Sequence, residues 1–216
     1  RIVLERFANF WNKAKVHFDK VTFTPIPDAT VRLANLQSGQ LDMLERLLPT
    51  DIAAVKADKR LVLQPVVGLG YASFTINVGK TPRAQTPLGQ DPRVREAVEL
   101  AIDRNIINQV VFNGEFTPGN QPVSPTNSFY AKTRPIPKRD VAKAKELLKA
   151  AGQPNLSFEM QVPNDTQQQQ VAQVIQRMLA EAGITMKIVS MEFATVLQNL
   201  LKRDYQASLV GWSGRP

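Results

Sequence analysis

The chain has no cysteine among its 216 residues. Disulfides, thiolate catalysis and cysteine-based metal sites are therefore excluded from it. Histidine is almost as scarce: His17 is the only one. It lies in a polar loop beside Lys15, where a solvated imidazole is the ordinary expectation. With no second imidazole, a Ser-His-acid triad has little to work with. Gly211-Trp212-Ser213-Gly214 looks superficially like a nucleophile elbow. That motif needs glycine two residues past the serine, however, and Arg215 stands there. Gly68-Leu69-Gly70 lacks the third glycine of a dinucleotide loop, and a strand-like run follows it instead of a helix. No run approaches the roughly 20 apolar residues of a membrane span. Charged residues are 21% of the chain and apolar residues 43%, the balance of a folded protein and not of a disordered one. No catalytic set, metal site or cofactor motif is expected.

What is present is a basic balance and a repeating α/β texture. The net charge of +8 raises the case for an anionic partner. The cations are scattered, however: Lys13, Lys15, Lys56, Arg60, Arg93, Arg95, Lys143, Lys145 and Lys149 mostly sit beside Asp or Glu at helical spacing, as solvated faces do. A nucleic-acid or other anion-binding module is the alternative reading, and salt-dependent binding to DNA or RNA would reveal it. The chain opens on Arg1-Ile2-Val3-Leu4-Glu5-Arg6, already strand-like, and stops just past a strand. Both ends are expected to be cuts in a longer chain, so targeting information is missing rather than absent.

Alternation predicts strands over residues 1–6, 21–24, 41–46 and 60–66. Asp28 is placed to cap a helix over 29–38 that Gly39 ends, and Pro49-Thr50-Asp51 opens another over 52–57. This order predicts an α/β layer with some parallel strands. At Val67-Gly68-Leu69-Gly70-Tyr71 the texture changes. A strand follows over 71–78, then Asp91-Pro92 caps a helix through Arg104, and a second helix runs over 105–112. The proline-rich stretch 115–138 reads as a long ordered loop. Beyond it come a helix ending at Gly152, a strand over 156–162, a helix over 166–182 and a strand over 184–189. A helix over 194–201 and a strand over 207–210 complete the order.

The order of these parts resembles a known family. "RIVLERFANFW", "DKVTFTPIPDATVRLANLQSGQLDM", "DPRVREAVELAIDR", "AKELLKAAG" and a terminal "GW" after a strand are similar, in one colinear order, to extracytoplasmic solute-binding proteins of ABC importers. The cluster is solute-binding protein family 5, which includes the dipeptide-, oligopeptide- and nickel-binding proteins. The resemblance implies a type II periplasmic-binding-protein-like fold, bilobal, with mixed sheets flanked by helices and no enzymatic activity. It implies that residues 1–68 are the later part of an incomplete first lobe, 69–209 the second lobe, and 210–216 the crossing back. Gly68, Gly70, Gly211 and Gly214 would serve as hinges. The partners implied are a peptide or other small ligand and the importer's permease subunits. Nucleic acid is not among them, the membrane is reached only through the permease, and the location is periplasmic or extracytoplasmic.

The ligand-lining residues that the resemblance implies are Glu45 and Arg46, Tyr71 at the first crossing, Phe193, and Trp212, Ser213 and Arg215 at the second. For Phe193 the alternative is plain core packing. The resemblance implies that peptide-binding relatives typically carry an aspartate where Arg215 stands, paired with the ligand's α-amino group, so the charge is reversed. A guanidinium cannot hold an ammonium group, but its fork suits a carboxylate or phosphate. The alternative for Arg215 is a side chain that faces solvent or pairs with an acidic residue in the absent part of the first lobe.

Overall fold

The computed structural model describes residues 1–65, 70–125 and 127–212. By contacts the chain divides into two compact units, Arg1–Leu44 and Glu45–Pro216. The expected division at Gly68 lies outside the described residues.

The first unit is small. Strand β1 (Ile2–Glu5) pairs antiparallel with β2 (Lys20–Phe23), Ile2 opposite Phe23. Helix α1 (Ala29–Gln37) follows, and its N-cap works as its sequence implies: the Asp28 carboxylate accepts the Val31 N–H at 2.9 Å. Its end is set by Gly39, whose φ of +77° suits a residue without Cβ. Ile2, Leu4, Phe7, Trp11, Phe18 and Phe23 are all exposed, so this unit buries little apolar surface of its own.

The second unit holds the core. Helix α2 (Ile52–Ala57) and strand β3 (Tyr71–Ile76) lead into α3 (Pro87–Gln90), α4 (Pro92–Ala101) and α5 (Arg104–Phe112). After an irregular segment come α6 (Val141–Ala150), β4 (Ser157–Pro163), α7 (Thr166–Glu181), β5 (Thr185–Met191), α8 (Phe193–Lys202) and β6 (Ala207–Trp212). Aspartates start the helices in turn, Asp91, Asp103, Asp140 and Asp165 each accepting N–H bonds from the first turn. The Arg93 guanidinium, hydrogen-bonded to Asp91, holds that carboxyl below the usual carboxylate range. The Arg60 fork on Asp58 lowers its carboxyl to about 2.

Four strands form one mixed sheet in the order β3-β6-β4-β5. Strand β4 runs parallel to β5 and β6, and β3 runs antiparallel to β6. One face carries Phe74, Ile76, Phe158, Met160, Val162, Ala207 and Leu209, which join α4–α7 in a single apolar core. Helix α7 contributes Ala172, Ile175, Met178 and Leu179 from one stripe. Each of its larger side chains is worth about 1.5–3 kcal/mol buried. Helix α8 serves the other face: Asn199 donates to the Gln161 side chain of β4, and Val196 is buried.

Two expected strands are not found. Residues 41–46 are irregular, with Arg46 at φ +63°. After Gly39 the N–H groups of Gln40 and Leu41 turn back to the Asn35 carbonyl, so the chain folds onto α1 instead of extending. Residues 60–65 form no strand either. No neighbour among the described residues supplies a ladder, Pro65 lacks a donor, and alternation without a partner leaves Val62 exposed. The parallel pairing expected in the first stretch occurs instead among β4, β5 and β6. Helix α4 also stops at Ala101, short of Arg104: Ile102 is extended, and Asp103 restarts the chain by capping α5 with bonds from Asn105 and Ile106.

Candidate ligand-binding edge

Strands β4, β5 and β6 all end at one edge of the sheet, and β3 begins there. In open α/β sheets this carboxyl edge is where ligands bind. The register shows how it is built. Pro163 is level with Met191, and Gln161 with Ser208. Two residues on from Ser208, Val210 is level with Pro163. Gly211 and Trp212 therefore project past the row that ends β4 and β5, by roughly 7 Å at strand spacing. They do not project alone, because Tyr71 is the cross-strand partner of Trp212 and Ala72 of Gly211.

Cross-strand partners share a face, and faces alternate along a strand. Tyr71 and Trp212 thus share the face of Ser73, Val210, Thr75 and Ser208, while Phe74 and Leu209 point to the core. Trp212 is 67% exposed and Tyr71 is half-buried. Behind them the face is polar: the Ser73 and Thr75 hydroxyls are 3.1 Å apart, and Ser73 donates to the Val210 carbonyl. Phe193 opens α8, two residues past the end of β5, and is 52% exposed. Of its two expectations, burial in the core is the one the structure contradicts. Below the edge, Gln169 fixes the end of β4 and β5 by donating to the Pro163 carbonyl and the Ser190 hydroxyl.

The structure thus brings Tyr71 and Trp212 together and puts Phe193 on the same edge. Glu45 and Arg46 lie on the irregular segment before Pro49, both exposed, with Arg46 Nε 4.0 Å from Glu45 Oε1. Gly70 is exposed, and a Cβ on Gly211 would meet only the Tyr71 carbonyl at an ordinary 3.5 Å. Nothing steric demands glycine at 211. The expectations for Gly68, Ser213, Gly214 and Arg215 lie outside the described residues. Sequence reading missed Ser73 and Thr75; counting in twos from Tyr71 along β3 would have found them.

Two cavities lie elsewhere in the second unit. One of about 610 Å³ is lined by Glu99, Asn120, Gln121 and Arg134, among others, and one of about 300 Å³ by Asp103, Arg104, Lys138 and Arg139, among others. Their polar groups are largely engaged in holding the loop. Asn120 donates to the carbonyls of Arg134 and Pro135, Gln121 brackets Ala131, Arg104 pairs with Glu99, and Arg139 with Glu181. His17 is exposed. Among the described residues no group of acidic or histidine side chains could hold a metal ion, and no helix is long and apolar enough to cross a membrane.

Comparison with known proteins bears directly on this architecture. The dipeptide-binding protein of Escherichia coli is 30% identical over 99% of this chain and 40% of its own length. Heme-binding protein A of Haemophilus influenzae is 29% identical over 95% of this chain and 38% of its own. Among solved structures, the ABC transporter-associated periplasmic binding protein DppA of Helicobacter pylori, in complex with the peptide STSA, superposes with a TM-score of 0.86. It is 25% identical, and the match covers 98% of this chain and 40% of that one. The chain therefore spans about 40% of the length of these relatives. The α/β fold with sheets flanked by helices is that of type II periplasmic binding proteins. The family model of the bacterial extracellular solute-binding proteins, family 5 (middle), matches residues 1–216, and the chain belongs to that family.

Proposed function

We propose that this chain is part of the solute-binding component of an ABC importer, which captures a peptide-like or anionic organic solute and presents it to the permease without chemical turnover. The observation that carries the proposal is the Tyr71–Trp212 pair, held as cross-strand partners on the projecting edge of the sheet with Trp212 largely exposed. An exposed tryptophan on an ordered strand gives up contact area to water that a ligand could cover. It loses little side-chain freedom when it does so. Names of relatives that bind a dipeptide, heme or a tetrapeptide support a small organic solute as the class.

In this proposal Trp212, Tyr71 and Phe193 pack on the apolar part of the solute. Ser213 adds a hydroxyl, and Arg215 pairs with an acidic group. Glu45 and Arg46 contribute from the segment before Pro49. Gly68, Gly70, Gly211 and Gly214 absorb dihedral change as two lobes close, and residues 210–216 return the chain to the first lobe. A solute shifts such a protein toward the closed form only through contacts that the open form lacks. The protein acts outside the cytoplasm and meets the membrane only through the permease.

Native mass spectrometry of the full-length protein would identify a co-purifying solute. Calorimetry with that solute would then test the anion clamp. A partly desolvated charge-assisted contact is worth about 1.5–3 kcal/mol, so Arg215→Ala should weaken binding about tenfold to a hundredfold. Arg60→Ala removes only the local fork on Asp58 and should leave affinity unchanged. Unchanged affinity in Arg215→Ala would remove the anion clamp. A gain for simple dipeptides in Arg215→Asp, without loss of the native solute, would remove it too.

A further inference from the structure

The β3–β6 ladder has a weakness that its composition creates. Its pairs are Tyr71–Trp212, Ala72–Gly211, Ser73–Val210, Phe74–Leu209, Thr75–Ser208 and Ile76–Ala207. A slip by one residue would turn Phe74 and Ile76 away from the core, and burial forbids it. A slip by two keeps both on the core face, opposite Gly211, Leu209 or Ala207. At Ala207, Ser208 and Gly211, β6 offers little steric resistance to such a slip. Tyr71 would then no longer oppose Trp212.

Asn77 opposes that slip most directly. Asn77 follows Ile76 and is 4% exposed. Its N–H extends the ladder to the Gln206 carbonyl at 3.0 Å. Its Nδ2 donates to the Tyr205 carbonyl at 2.9 Å and the Arg203 carbonyl at 3.1 Å, and lies 3.2 Å from Thr81 Oγ1, while its Oδ1 accepts the Gly79 N–H. These bonds tie the end of β3 to named carbonyls just before β6. In a ladder slipped by two residues those carbonyls would be out of reach, and a buried amide would be left without partners, which is costly.

We propose that Asn77 is a positioning residue for the ligand edge: it locks the register of β3 against β6, and so sets Tyr71 opposite Trp212 at the other end of the ladder. The functional part of this rests on the assignment of that edge to the solute.

The register can be read by cross-linking in the full-length protein: this chain carries no cysteine of its own, and any cysteine outside it is first replaced by serine. Ser73→Cys with Val210→Cys joins partners in the observed register. Ser73→Cys with Ser208→Cys, and Thr75→Cys with Val210→Cys, join residues that become partners only after a slip by two. Diagonal neighbours stand about 7–8 Å apart, beyond ordinary disulfide reach. In the parent the first pair should oxidise and the other two should not. Asn77→Asp keeps the volume but loses the donors. It should raise a slipped product relative to the aligned one about tenfold, as should Asn77→Ala, given the loss of at least one net hydrogen bond. Gln176→Ala breaks a bond to the Met186 carbonyl of β5, away from β3 and residues 203–206, so it should raise neither. Were the Asn77 variants not to fold, Thr81→Val, which removes the hydroxyl shared with Asn77 and the Arg203 carbonyl, should give the same shift to a smaller degree. If Asn77→Asp, or Thr81→Val in its place, cross-links only at 73–210, the register lock is wrong. No ligand enters this readout, so that result would leave the edge's assignment to the solute standing.

Discussion

The two ends of the β3–β6 ladder are built in opposite ways. At the Ile76–Ala207 end, side chains tie three segments together. Asn77 reaches the 203–205 turn, the Gln206 side chain accepts the Glu159 N–H, and Arg83 bridges Glu159 at 2.8 Å and Asp204 at 3.4 Å. Gln90 returns to the carbonyls of Gly79 and Ala84. At the Tyr71–Trp212 end aromatic surface stands in water. One end is tied by many polar bonds, and the other leaves aromatic surface uncovered. The difference teaches that order at a binding edge can be supplied from the far end of the strands that carry it.

The largest expected effect is at a pair of glycines. A Cβ on Gly89 would overlap the Ala84 carbonyl oxygen and come within 2.7 Å of the Asn77 carbonyl oxygen, both backbone atoms. A Cβ on Gly211 would meet only ordinary contact. Gly89→Ala should therefore destabilise by about 1–3 kcal/mol, as overpacking does, while Gly211→Ala should stay within about 0.5 kcal/mol of the parent. Denaturant melts would decide it, and equal losses at both would break the contrast between the two ends.

Arg83→Met should cost less, about 0.2–1 kcal/mol, because the group is partly exposed and its pairs are screened. The loss should shrink at high salt in a melt series. A salt-independent loss would assign the effect to packing of the arginine stem instead.

The smallest effect is one of pH. Burial raises the Tyr205 phenol above its ordinary value. A raised value in the folded state means that the unfolded chain releases this proton first. The stabilising contribution is therefore complete below about pH 10, the unfolded value, and is lost as pH rises through the folded one. Tyr205→Phe should flatten the alkaline arm of a stability–pH curve. An unchanged arm would remove Tyr205 from the account of the tied end.

Much of the second unit was legible in the sequence, because local chemistry decides it. Asp91 with Pro92 begins α4, Gly152 and Gly183 at positive φ follow α6 and α7, and apolar spacing marks the stripe of α7. The strands expected over 41–46 and 60–66 failed for the converse reason. Alternation says that a segment can lie in a sheet, but only a partner strand makes it one. At the edge, Tyr71, Phe193 and Trp212 were named through the resemblance. Their shared location follows from register, which no single segment encodes. Asn77 left no mark in the sequence at all. Its partners are carbonyls 126 and 128 residues away, and any residue can supply a carbonyl.

The central claim is that the solute lies against the Tyr71–Trp212 end. Calorimetry of the full-length protein with its co-purified solute, comparing the parent with Trp212→Ala, tests it most directly. The account predicts a loss of about 2 kcal/mol or more in binding, as for a buried aromatic anchor, with a melting temperature close to the parent's, since the side chain is largely exposed in this chain. Parental affinity in Trp212→Ala would contradict it.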